Sequence, residues 1–292
     1  MRLYEFTLTE KISLSHYEEE VKSVIKKYVL YQLKNAFTDL PEKYKAAYDE
    51  AYNIEDEDTQ SMYVNYLSKE LYELLCLGGV SEGLQLPLSE IASKISGEKT
   101  WVSFSDDLES KTNGEVKYWS DDRAITIDIN NRVGKELAYA IVQSLFYTNT
   151  TEYEKLLKSN SDEIFYYAEN IIDKFTGIMI HELVHVKQLQ PQAKKNKTKM
   201  DDRSYIKKGN QSQIYLAQPT EIAAFAHNCA LKIVNDIVKK GKSINAEIIA
   251  SYVDKLIDGH LDKNDPKQYE VYKRYYKLTY QEVMDYINKQ KD

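Results

Sequence analysis

The sequence predicts a mostly helical α+β fold with one small antiparallel sheet. Only 10 Gly and 5 Pro occur among 292 residues, and such low numbers indicate few tight turns. Apolar residues recur every three or four positions over long stretches, as in amphipathic helices. A single region, near residues 100–130, has the short β-branched and aromatic runs typical of strands. The length suffices for one large domain or two ordinary ones.

The N-terminal third is predicted to be a mainly helical region, residues 1–95. Alternation in 2–8 favours a short strand, and from about residue 16 to residue 73 the apolar spacing becomes helical. The first helical set runs through Val21, Val24, Ile25, Tyr28, Val29 and Leu33, and the second through Tyr63, Tyr66, Leu67, Leu71 and Leu74. Five of the chain's Gly and Pro residues then fall between residues 75 and 98, which favours a boundary there. Residues 96–292 form the predicted second domain.

The second domain begins with the predicted sheet and continues as helices. Its strands are expected at 101–104, 116–119 and 124–129, separated by polar turns. A helix should follow from residue 131, and a long one should span roughly 162–189. Residues 191–213 are polar, rich in Lys and longer than ordinary connections, so we expect them to form a flap. From Pro219 to the end the pattern is again helical.

Charge and composition argue against several classes of protein. The formal charge is −7 and the sequence pI is about 5.5. A protein surface that binds nucleic acid is usually positively charged, so this net charge argues against such binding. Two distant cysteines, Cys76 and Cys229, exclude a disulfide framework and favour a reducing compartment. The N-terminus lacks the apolar core of a secretion signal, and apolar runs fall short of the roughly 20 residues of a membrane span. We therefore expect a cytoplasmic protein with neither nucleic-acid nor membrane partners.

The motif that carries chemistry is His181-Glu182-Leu183-Val184-His185, an HExxH sequence. Two histidines four residues apart lie on one face of a helix and can bind a single metal ion. The surrounding residues are apolar nearly all round the helix, which predicts a buried helix. Ionisable groups in such a helix need partners, and a bound cation with a water molecule would supply them. Glu182 points elsewhere on the helix but can reach that water, the position of a general base.

A tetrahedral zinc site needs a third protein ligand besides His181 and His185. Glu221 and His227 are the candidates, on a helix that Pro219 begins and whose alanines permit close packing. They are six positions apart, about 120° around a helix, so at most one of them can join the two histidines.

These residues resemble the gluzincin group of zinc metallopeptidases, in which a buried HExxH helix precedes a helix that begins with a ligating glutamate. The resemblance implies a zincin-like fold for the second domain, with one zinc ion held by His181, His185 and Glu221 and with Glu182 as general base. The metzincin subclass is excluded, because it requires Gly and His where this sequence has Gln188 and Pro191.

The resemblance further implies hydrolysis of peptide bonds in a peptide or protein substrate. Zinc lowers the pKa of water to about 7, and Glu182 would take and return the proton. Tyr215 and His227 are candidates for stabilising the oxyanion. By the same resemblance, the substrate should extend the sheet along residues 124–129.

Two other functions remain open on the sequence. One is a zincin-fold binding or structural protein without turnover, such as a phage-encoded factor, although the intact base Glu182 argues against it. The other is a zinc hydrolase that acts on a non-peptide amide.

Overall fold

The computed structural model describes a large part of the chain, with gaps. The described residues are 15–39, 50, 53–62, 65–66, 80–105, 108, 113–119, 124–146, 165, 168–193, 204–206 and 209–289. The strand predicted at 2–8 lies outside them, as do nearly all of the second predicted helical set and most of the predicted flap.

The described residues confirm the coarse prediction of a mostly helical α+β protein. The three strands are β1 (Thr100–Ser105), β2 (Gly114–Trp119) and β3 (Ala124–Asn130). The helices are α1 (Ser15–Asp39), α2 (Val80–Ser96), α3 (Asn131–Phe146), α4 (Glu169–Ala193), α5 (Gln211–Leu216), α6 (Pro219–Ile233), α7 (Ala246–Ile257) and α8 (Pro266–Lys289). The predicted long helix corresponds to α4.

The strands lie where they are predicted, but the predicted antiparallel sheet is wrong. The order is β1-β3-β2, so β3 lies between the other two strands. It pairs parallel with β1 and antiparallel with β2, which makes the sheet mixed. The prediction assumed that strands consecutive in sequence are neighbours in space. The central place instead goes to the most apolar strand, Ala-Ile-Thr-Ile-Asp-Ile, because a central strand is covered most completely.

The central position of β3 also overturns the expected substrate edge at residues 124–129. A strand paired on both sides has no free backbone groups left to bind a peptide. The outer edge of β1 is closed too, because two serines of α2 pair with its backbone. Ser89 Oγ accepts from Val102 N at 2.8 Å, and Ser93 Oγ accepts from Thr100 N at 3.0 Å.

The predicted boundary segment, 75–98, contains the helix α2 rather than an irregular linker. Pro87 lies inside this helix and leaves the carbonyl of Gly83 without its usual helical donor. Gly83 is required by packing, since a Cβ there would lie 2.8 Å from Cε2 of Tyr28. The described chain forms two compact units, one within 17–179 and one within 180–292, and their division falls inside α4.

In the first unit, the beginning of α4 is held by three neighbouring elements. Lys22 of α1 forms an ion pair with Asp173, with 2.5 Å between Nζ and Oδ1. The ring of Phe104 in β1 meets that of Phe175 edge to face at 5.8 Å. Lys174 pairs with Glu136 of α3. These contacts fix the half of α4 that precedes the HExxH motif.

The second unit has a continuous apolar core formed by the helices after the motif. Its largest fully buried side chain, Tyr275 of α8, donates a hydrogen bond to the carbonyl of Leu216 at 2.8 Å. Thr279 likewise donates to the carbonyl of Ala226 at 3.3 Å. Helix α8 is therefore tied to both α5 and α6. The fully or largely buried core residues are Ile206, Ala217, Ile222, Ala226, Cys229, Ala230, Ile233, Ile249, Val253, Ile257, Val271, Tyr275 and Val283.

Candidate metal centre

Both histidines of the HExxH motif lie on α4 and are buried, as the sequence predicts. His181 is 8% exposed, Glu182 4% and His185 5%. The four-residue spacing places the two imidazole rings one turn apart, and their centroids are 4.7 Å from each other. A buried helix face with three ionisable side chains is costly unless each has a partner. For both histidines, one such partner is Glu221 of α6.

Helices α5 and α6 position the remaining candidate residues. Asn210 and Gln213 form a capping box at the start of α5, which carries Tyr215 near its end. Pro219 then begins α6, whose first turn carries Glu221. A carboxylate in this first turn is favoured by the positive end of the helix dipole. Glu221 is nevertheless only 7% exposed, so the dipole explains its charge but not its burial.

The side chains of His181, His185 and Glu221 converge on one point. Nε2 of His181 lies 3.1 Å from Nε2 of His185. Nε2 of His181 lies 3.3 Å from Oε2 of Glu221, and Nε2 of His185 lies 3.4 Å from Oε1. Tetrahedral ligands about 2.0–2.1 Å from a zinc ion are about 3.3 Å from one another. Each spacing is close to the ligand–ligand distance of a tetrahedral shell, although the two distances to Glu221 are made by different oxygens of its carboxylate. With one ligand atom from each residue, the three atoms lie within 4.8 Å of one another, so together these residues could hold a metal ion.

A second feature of Glu221 fits a bound cation. Its Oε2 is buried and receives no well-aligned hydrogen bond among the described residues, although Nε2 of His181 lies 3.3 Å from it. A buried carboxylate oxygen without a well-aligned donor is unusual, because the loss of hydration is not fully repaid. A cation between this oxygen and the two imidazoles would supply the missing interaction. The donor set, two imidazole nitrogens and one carboxylate, is one that divalent zinc accepts.

The electrostatics of these three residues reflect their proximity. Burial by itself would lower the pKa of His185, but the hydrogen bond and charge of Glu221 outweigh it and raise the pKa to about 9. Burial likewise acts to raise the pKa of Glu221, yet the hydrogen bonds and charges of His181 and His185 lower it to about 2. The negative carboxylate of Glu221 thus lies against both imidazoles. A metal ion bound there would take the place of a proton on His185, because imidazole ligates a metal only in its neutral form.

Glu182 and Tyr215 lie close to the converging ligands. The charge of Glu182 contributes to raising the pKa of both His185 and Tyr215. Tyr215 is 44% exposed as a whole, but burial of its hydroxyl end, with the charge and hydrogen bond of Glu221, raises its pKa strongly. A phenol that stays protonated is a hydrogen-bond donor, so Tyr215 presents a donor next to the ligands.

His227 is not brought into this group. It is 3% exposed, and its Nδ1 is hydrogen-bonded to Oε2 of Glu282 on α8. Six residues separate it from Glu221 on α6, so the two side chains leave the helix in different directions. Of the two candidates for the third ligand, the structure joins Glu221 to the histidines. The catalytic role predicted for His227 has no support from its position.

The sequence argument missed two residues that contact the ligands. Oε1 of Gln188 lies 3.0 Å from Nδ1 of His185 and accepts a hydrogen bond from it. Nε2 of Gln188 donates a hydrogen bond to the carbonyl of Thr220 at 3.2 Å. Phe225 places its ring edge to face with that of His181, with centroids 4.6 Å apart. Helical spacing was the available signal, since Gln188 follows His185 by three residues and Phe225 follows Glu221 by four.

The chain matches no protein-family model, and neither a curated protein nor a solved structure is significantly similar to it. Within the part of the chain that the structure describes, no helix is both long and apolar enough to cross a bilayer.

Proposed function

We propose that this protein is a zinc-dependent metallopeptidase with a zincin-like catalytic site. The observation that carries the proposal is the convergence of His181, His185 and Glu221, each of which offers a ligand atom within 4.8 Å of the other two. An arrangement of this size suits one ion with short metal–ligand bonds. The resemblance of the motif and of the Glu helix to gluzincins supports the same conclusion and adds the substrate class, a peptide or protein.

The ligand set favours zinc over other biological cations. Calcium and magnesium prefer sites built from oxygen ligands, whereas two imidazoles with one carboxylate suit zinc. Three protein ligands are typical of catalytic zinc sites, because the fourth position is left for water or substrate. A zinc ion in such a site supplies Lewis acidity and lowers the pKa of water to near neutrality.

Glu182 is the proposed general base. It directly follows the ligand His181 on α4, and its charge contributes to raising the pKa of His185 and Tyr215. There it can take the proton from the attacking water and return it to the leaving amine. Its burial, with only 4% exposed, keeps other water away and strengthens its interactions with the reacting atoms.

Tyr215 is the proposed donor to the oxyanion that forms as water adds to the substrate carbonyl. Its hydroxyl lies near Glu221 and Glu182, and the remainder of the side chain reaches solvent. A phenol held at the edge of the ligand group can donate to a substrate oxygen without leaving its position. The hydrogen bond from Tyr275 to the carbonyl of Leu216 holds the backbone next to Tyr215.

The test compares wild-type protein with Glu182→Gln and with a matched control, Glu247→Gln, at an exposed position of α7. Zinc content and cleavage of a mixed peptide library are measured for all three. Glu182→Gln should retain zinc and lose about 100-fold or more in cleavage rate, whereas the control should match wild type.

Other outcomes separate the rival functions. Protein that binds no added zinc contradicts the metal site and with it the enzyme. Zinc binding without cleavage of any peptide contradicts the peptidase and leaves a binding protein or a hydrolase of a non-peptide amide. Equal cleavage by wild type and Glu182→Gln contradicts the role of Glu182.

A further inference from the structure

We propose that Gln188 is a positioning residue for the metal centre. Its side-chain amide fixes which nitrogen of His185 faces the metal and ties the HExxH helix to the turn that carries Glu221. The inference rests on the proposed metal site, and it adds a residue that neither the HExxH motif nor the ligand set contains.

The orientation of the Gln188 amide follows from its two partners. A backbone carbonyl has no proton to donate, so the contact of 3.2 Å to Thr220 O must involve the NH₂ group of Gln188. The amide oxygen therefore faces His185 Nδ1, at 3.0 Å. Since that oxygen only accepts, Nδ1 must carry a proton. In the neutral ring Nε2 is then the unprotonated nitrogen, and Nε2 is the atom that converges with His181 and Glu221.

The same amide links the two segments that carry ligands. Gln188 lies on α4 one turn beyond His185, and Thr220 immediately precedes Glu221 in the first turn of α6. One side chain thus contacts a ligand on one helix and the backbone beside a ligand on the other. Holding both contacts limits rotation of the His185 ring and movement of the α6 first turn. This is the supporting role that partners of metal-binding histidines commonly have.

Three variants distinguish this role from simple helix packing. Gln188→Met keeps the size of the side chain and removes both hydrogen bonds. Gln188→Glu keeps an acceptor for His185 Nδ1 but replaces the donor to Thr220 O with a repelling oxygen. Gln281→Met makes the same change at an exposed position of α8 and is the matched control.

The first measurement is zinc affinity of the full-length chain, by competition with a chromophoric chelator. Gln188→Met should lower affinity about 10- to 100-fold, as does loss of other partners of metal-binding histidines. Gln188→Glu should lower it less, and Gln281→Met should not change it. Wild-type zinc affinity in both folded Gln188 variants overturns the proposal. If Gln188→Met does not fold, as judged by circular dichroism, Gln188→Glu decides the matter.

The second measurement does not depend on zinc. In metal-free protein, the Nδ1–H proton of His185 should exchange slowly with solvent, as seen in nitrogen-15 NMR spectra of the imidazole side chains. Gln188→Met should make this exchange fast. Equal exchange in wild type and variant overturns the positioning role even if zinc binds. Loss of protection in a protein that binds no zinc supports the amide contact while contradicting the proposed function.

Discussion

Helix α6 carries two buried ionisable side chains, Glu221 and His227, and their surroundings differ in one decisive respect. Two imidazoles contact Glu221, one at each carboxylate oxygen, at 3.3 and 3.4 Å. His227 is met by one carboxylate, Glu282, in a direct hydrogen bond. Both side chains are at most 7% exposed, so burial does not distinguish them.

Convergence of several ligands, rather than burial or residue type, therefore distinguishes the candidate metal site from the His227 site. His227 and Glu282 can neutralise each other as a pair, because one donor meets one acceptor. His227 Nε2 lacks a hydrogen-bond partner, but the residue belongs to no group of three such ligands in the described chain. Around Glu221, two imidazole nitrogens and two carboxylate oxygens lie close together. A metal ion can bind several of these atoms at once, whereas a single proton is shared by two.

The largest expected effect is the stabilisation of the converging group by metal. Zinc added to metal-free protein at about 1,000 times its dissociation constant should raise the free energy of unfolding by about 4 kcal/mol. Calorimetric melting with and without zinc measures the change. Calcium, a cation that prefers oxygen ligands, is the control and should have little effect. A melting temperature that zinc does not change would contradict the proposal that the Glu221 site, unlike the His227 site, binds metal.

A pair of histidine substitutions compares the two sites directly. His185→Gln should lower zinc affinity more than about 100-fold, beyond the usual loss for a supporting partner, because a ligand itself is removed. His227→Gln should leave the affinity unchanged. Chelator competition measures both variants. Similar losses would show that the pair with Glu282 contributes to metal binding after all.

The pair of His227 and Glu282 should instead contribute to folding. Glu282→Ala leaves Nδ1 of a buried imidazole without its acceptor and should destabilise the protein by about 1–3 kcal/mol, with zinc affinity unchanged. Urea unfolding measures the difference. Gln281→Ala, its exposed neighbour on α8, is the control. A Glu282→Ala protein as stable as this control would contradict a structural role for the pair.

The smallest effect should come from the contact that holds α5 in place. Tyr275→Phe removes the donor to the buried carbonyl of Leu216 and should reduce stability by about 1 kcal/mol. Because Tyr275 supplies none of the three proposed ligands, zinc affinity should remain that of wild type. Urea unfolding alongside Tyr276→Phe, at a partly exposed position, tests the assignment. A larger loss in the control would contradict it.

Local patterns predict much of the candidate site. The spacing of His181 and His185 fixes their common face, and the first-turn position of Glu221 made it a candidate ligand. The contribution of Gln188 was not predictable in the same way, since its second partner is a backbone carbonyl 32 positions away. Nor could the sequence indicate that His227 would meet Glu282, because that contact depends on how α8 packs against α6.

Periodicities of a few residues were enough to predict β1, β2, β3 and most of the described helices, and the side chains that share a helix face, because these properties are local. Helix α2 is the exception. Tertiary structure decided the rest. It put β3 between β1 and β2, where the most apolar strand is best covered, and it allowed α2 to continue through Pro87. It also chose Glu221 over His227 as the neighbour of the two imidazoles, since only packing between distant segments brings three ligand atoms to one point.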